Sequence, residues 1–157
     1  MHGILRRLFS SKHAANDEIR HGTRVAELVV PMIAATVKSS GFNHDLFPHD
    51  NRSHPMIGFV CGLCDVLVQA MGGKTKLSSD QAVLIVLEEL LKTDASFFTE
   101  AVQNPPLHSE WFNMGSETGS TCAFAILKGE SDESTELIAK LFIEVYGYCC
   151  SPASGLE

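Results

Sequence analysis

Apolar residues recur every three to four positions over several long stretches of this chain, and no run alternates strictly with β-branched residues, so helices and no sheet are expected. Between about Ala15 and Ser40, the residues Val25, Leu28, Val29, Met32, Ile33 and Val37 form one stripe and predict a first long helix. Pro31 lies inside it. Proline has no N–H to give and its ring meets the carbonyl four residues back, which predicts a kink or break near Val30. Lys38 in the last turn and Gly41 beyond it are C-terminal signals. Ahead of this helix, Ile4, Leu5, Leu8 and Phe9 recur beside Arg6, Arg7 and Lys12, marking residues 1–14 as a short amphipathic segment or a mobile start.

Phe42 to Ser53 holds Asn, Asp, Pro and His with no period and reads as a long connection. A second helix is expected from Pro55, a residue favoured in a first turn, to Met71, with Gly72 and Gly73 ending it. Asp65 is its one charge between Ile57 and Met71, so burial on several sides follows, as for a central element. Gly58 and Gly62 stand one turn apart, where missing side chains let a neighbouring backbone approach. Leu77-Ser78-Ser79-Asp80-Gln81 has the capping-box pattern of a helix start. Val83, Val86, Leu87, Leu90 and Leu91 then give a buried face, and Glu88 and Lys92 stand in register for an ion pair. Asp94 opens a short helix through Phe97, Phe98, Ala101 and Val102, stopped by Asn104-Pro105-Pro106.

From Leu107 to Lys128 helix is expected on both flanks, while residues 115–121 read as either helix or loop. Gly115, Gly119 and Ala123 at four-residue steps fit a small-residue contact face or a bend. A last helix starts at a Ser131 or Asp132 cap, buries Leu137, Ile138, Leu141, Phe142 and Val145, and ends at Ser151-Pro152. The pattern therefore predicts an all-α fold, an irregular bundle of five or six helices in a single domain over residues 15–150. Its expected core includes Val29, Ile33, Val60, Leu67, Leu87, Leu90, Phe98, Phe124, Leu141 and Phe142. Residues 151–157 form a tail in which Leu156-Glu157 resembles a cloning-site junction.

Composition agrees with a folded chain: 157 residues, 45% hydrophobic and 20% charged, are enough for one core without staples. Charge narrows the partners. The net −7 divides into seven Lys/Arg against five Asp/Glu up to His54, and five against fourteen from Pro55 onward. The larger, acidic part repels a polyanion, so no nucleic acid partner is expected. The N-terminal segment offers weak peripheral membrane contact or docks on the body. The longest apolar stretches are interrupted and shorter than the ~20 residues of a spanning helix, so no transmembrane span is expected. Five cysteines form no even disulfide framework and the start lacks a secretory signal, so reduced thiols and a cytoplasmic location are expected.

Three clusters carry candidate chemistry. His44, Asp45, His49, Asp50 and His54 crowd the long connection with ligand types suited to a divalent metal such as zinc, iron or manganese. Their five-residue steps match no zinc signature, and solvated loop histidines are the plainer account of so nonspecific a pattern. Cys61-Gly62-Leu63-Cys64 has the C-x-x-C spacing of thiol oxidoreductases, but the pair falls two turns inside a helix rather than at its start, on the apolar stripe of Ile57, Val60, Val68 and Met71. Core cysteines fit that position. Asp65 is either a carboxylate in apolar surroundings with a raised pKa or, as buried charges usually are, paired, capping a neighbouring helix or meeting a Lys or Arg. The glycines and hydroxyls of residues 115–121 lack the lysine and spacing of a phosphate loop. No catalytic set emerges. The leading expectation is a non-catalytic interaction or regulatory module that binds a protein partner or itself; the alternative is a metal-binding or thiol-dependent protein using residues 44–54 and Cys61/Cys64.

Overall fold

The computed structural model describes residues 2–92, 94–129 and 131–149, and there the periodicity becomes six α-helices and three short 3-10 turns. They are α1 (His2–Ser40), α2 (His54–Ala70), α3 (Lys76–Leu91), α4 (Thr99–Gln103), α5 (Glu110–Lys128) and α6 (Ser131–Cys149), with 3-10 turns at His44–Leu46, Asn51–Ser53 and Ala95–Phe98. No strand occurs among the described residues. The all-α bundle read from the sequence is the observed fold.

Two terminal signals act as expected. Gly41 sits just past α1 at φ +72°, a conformation glycine adopts without a Cβ penalty, and Pro55 occupies the first turn of α2. Asp94 accepts from Ser96 N at 2.9 Å and so opens the third 3-10 turn. Other details differ. α1 runs unbroken from His2 through Pro31, joining the amphipathic start to the long helix. Pro31 is on the exposed side, where its ring displaces no neighbouring helix, while Val29 and Ile33 on the opposite side are held in the core. Residues 115–121 are helical throughout, with Ser109 capping α5 by accepting from Phe112 N. α3 begins at Lys76, ahead of the capping-box pattern, and Ser78 is buried inside it. Lys92 pairs with Glu89 at 3.8 Å rather than with Glu88, because it lies past the helix end in a left-handed conformation. The Ser131 and Asp132 side chains and the tail 151–157 lie outside the described residues.

α2 is the hub. Met56, Ile57, Phe59, Val60, Leu63, Cys64, Leu67 and Val68 are all at most 2% exposed, touching α1, α3, α5 and α6 in turn. Full burial of one such aliphatic or aromatic side chain contributes about 2 kcal/mol, so this helix dominates the core. The one stretch among the described residues long and apolar enough to cross a membrane, Asn51–Ala70, is this buried helix. Gly115 of α5 sits on the Pro55 carbonyl and Gly119 on the Phe59 carbonyl, so α2 and α5 run parallel. In return, Gly58 faces the Phe112 carbonyl and Gly62 the Ser116 carbonyl, and a Cβ on any of the four would overlap backbone. The small-residue faces expected on both helices are thus one interface.

α1 and α3 also run parallel, with Glu18 beside the start of α3 and Ile33 beside Leu90. α6 returns antiparallel to α5, placing Tyr148 on Trp111 with ring centroids 5.1 Å apart, and Phe142 in the centre. Nine of the ten expected core residues lie in or against the core. Phe124 does not: it is 55% exposed, because α5 turns Cys122 and Ala123 inward and the next position outward. Leu28 of the α1 stripe is likewise 44% exposed.

Candidate functional site

The histidine-rich connection is built from two local turns. Asn43 accepts from Asp45 N at 2.9 Å and starts the first; Asp50 accepts from Arg52 N at 3.0 Å and starts the second. Asp50 is also gripped by the Arg52 guanidinium, with Nε at 2.9 Å from one oxygen and Nη2 at 2.9 Å from the other. Those hydrogen bonds hold the Asp50 carboxyl below its ordinary pKa. His44 Nε2 lies 3.3 Å from Asp45, and both are exposed. His49 stacks on Phe98 at 5.8 Å and meets the edge of Phe97 at 5.0 Å. His54 is the first residue of α2; burial pushes its pKa down, opposed by the Asp50 charge.

The structure brings His49, Asp50 and His54 to one cleft of about 260 Å³ with Phe97 and Glu100, and leaves His44 and Asp45 outside its lining. No group of three His, Cys, Asp or Glu among the described residues stands close enough to hold a metal.

Cys61 and Cys64 face the core side of α2. Burial pushes the Cys61 thiol up to about 12, with Asp80 adding to the shift, and pushes that of Cys64 up as well. A nucleophilic thiolate needs the opposite displacement. Cys64 is 0% exposed and packs as a small hydrophobe, as does Cys122. Asp65 is exposed rather than enclosed, because it sits on the edge of α2 that faces the start of α3. There it accepts from Ser79 Oγ at 2.9 Å and Gln69 Nε2 at 3.0 Å, a polar link between the two helices.

One carboxylate with a marked role escaped the sequence reading. Glu18 of α1 accepts from the backbone N–H of Lys74 at 3.0 Å and Thr75 at 3.1 Å, from Thr75 Oγ1 at 3.0 Å, and from Ser78 Oγ. It thereby ties α1 to the turn that leads into α3, whose N-cap residue Thr75 makes no cap hydrogen bond with its own side chain. Those donors, Ser78 first, lower its pKa to about 2.

The remaining feature is a surface. Successive positions on one side of α1, Arg24, Glu27, Leu28, Pro31, Ala34, Ala35 and Lys38, are all exposed. Their 100° steps place them within about 60° of Pro31, a single outward face. Its centre is uncharged. Beside it, Val30, Ile33 and Val37 of α1 and Val86 and Leu90 of α3 line a groove of about 210 Å³, with Lys38, Glu89 and Lys92 at the rim. Comparison of the chain with protein-family models, with curated proteins and with solved structures finds no match.

Proposed function

We propose that this chain is a non-catalytic helical interaction module whose docking face is the outer side of α1 from Glu27 to Lys38 with the adjoining α1–α3 groove. The observation that carries the reading is the run Leu28, Pro31, Ala34 and Ala35, exposed together on a helix whose outward positions a turn or two earlier, Arg20 and Arg24, are charged. A contiguous apolar patch bordered by charge is the usual form of a protein contact surface. The groove continues the patch and gives a partner side chain somewhere to enter. A cytoplasmic setting belongs to the same reading, supported by the free thiols of Cys61, Cys64 and Cys122.

A photo-cross-linking residue placed at Ala35 in cells tests it, with the same residue at Lys140 on the charged outer side of α6 as the control. The expected result is a covalent adduct to a protein from position 35, lost when Leu28→Lys is added. Identical products from both positions, or from position 35 with and without Leu28→Lys, would sink the reading.

A further inference from the structure

We infer that the partner of the α1 face is a second copy of this chain, packed antiparallel on it about a two-fold axis that passes near Pro31 and Ala34. The inference rests on the docking face proposed above and adds its occupant. The argument is the order of charges along the face. Arg24, Glu27 and Lys38 are its three ionised groups, and neither Glu27 nor Lys38 makes an ion pair among the described residues.

A parallel pairing of two such helices in register sets each of these charges against its own copy, three like-charge contacts that cost association. In the antiparallel pairing, one register brings Glu27 opposite Lys38 of the second copy and, by the two-fold symmetry, Lys38 opposite its Glu27. In that same register Pro31 falls opposite Ala34, and Leu28 packs near Ala35, large against small, so the backbones can approach. Arg24 falls opposite Gly41, beyond the helix end and clear of Lys38. Shifting the register by three residues, to centre on Pro31, would instead oppose Arg24 with Lys38. The charges therefore favour the antiparallel direction, and the small residues Pro31 and Ala34, which meet at the centre only when Glu27 opposes Lys38, choose this register over the one that opposes Arg24 with Glu27.

Pro31 adds a further term. Having no N–H, it offers no helical donor to the Glu27 carbonyl, which lies on the same face as the Glu27 side chain. An incoming Lys38 ammonium has three N–H groups, enough to meet both that carbonyl and the carboxylate.

Sedimentation velocity of the full chain, from about 5 to about 500 µM, tests the inference. The expected result is a reversible monomer–dimer equilibrium with a dissociation constant on the order of 10 µM, in keeping with a small interface. Glu27→Lys and Lys38→Glu should each weaken it by about tenfold or more, since symmetry turns two attractive contacts repulsive. The double variant E27K/K38E should return to within about threefold of the parent, and Ala34→Arg should leave monomer only. All three positions are exposed, and far-UV circular dichroism checks that the variants fold. A parent chain that stays monomeric throughout, a dimer indifferent to these changes, or a double variant as weak as the singles would overturn the inference. If the chain is monomeric while position 35 still cross-links to another protein, self-pairing alone fails; if position 35 behaves as the control, the docking face fails with it.

Discussion

Glu18 shows how a single side chain can set the start of a helix that lies far along the sequence. A carboxylate beside a helix N-terminus gains from the helix dipole, and further from each N–H and O–H donor that the entering turn aims at it. Lys74, Thr75 and Ser78 present four donors to Glu18, and its folded-state pKa of about 2 lies below the ordinary 4.5. A depressed carboxylate contributes stability that is fully present above about pH 4.5 and is lost as pH falls toward 2. Glu18→Gln should therefore lower the melting temperature by a few degrees at pH 7 and flatten the acid limb of the stability curve below pH 4.5, as thermal melts at stepped pH would register. Equal melting temperatures for both chains at pH 7 would dismiss this anchor. Sequence revealed local caps such as Asp94 because donor and acceptor lie two residues apart. It was silent on Glu18, which lies 56 residues from the first N–H it binds.

At the scale of helices, the contact between α2 and α5 is made by what its residues lack. Gly58 and Gly62 of one helix meet backbone of the other, and Gly115 and Gly119 reciprocate. An added Cβ at Gly119 falls on the Phe59 carbonyl and near Leu63 N, so backbone rather than a pliable side chain must move. Gly119→Ala should cost about 3 kcal/mol, the upper part of the range for overpacking, and denaturant unfolding would measure it. Gly147 of α6 supplies the contrast, since a Cβ there meets nothing within 4 Å. Gly147→Ala should stabilise by about 0.5–1 kcal/mol through helix propensity and the entropy of the unfolded chain. Similar effects at the two positions would mean that the close approach is not holding the helices.

The same pair of helices marks where periodicity succeeds and where it stops. Four-residue glycine spacing identified both small-residue faces, but spacing alone could not match one face to the other or decide between helix and loop over residues 115–121. That decision came from packing, since the polar middle of α5 lies against an almost uncharged α2. Pro31 does not break α1 for a related reason. Its local cost is real, yet the burial of Val25, Val29 and Ile33 on either side holds the helix through it.

Across the whole molecule, each candidate group has neighbours that the sequence did not disclose. Composition showed imidazoles and carboxylates crowded into residues 44–54, but not that Asp50 would be taken by Arg52 or that His49 would lie on Phe98. Cys64 and Cys122 likewise pack in the core, and this makes them reporters of its cooperativity. Cys64 on α2 and Cys122 on α5 are both 0% exposed, and burial raises both thiols. Alkylation of either requires an opening that brings its sulfur to water, where the pKa falls back and the thiolate can react. Since α2 and α5 interlock backbone to backbone, neither can leave alone without breaking the whole contact. The two cysteines should therefore label at one common rate under native conditions, with the same dependence on added denaturant, as mass spectrometry of timed alkylation would show. Labelling of Cys122 well ahead of Cys64 would mean that α5 opens as a separate unit, and the bundle would then be a stable α1–α2–α3 core with α5 docked on it rather than one cooperative structure.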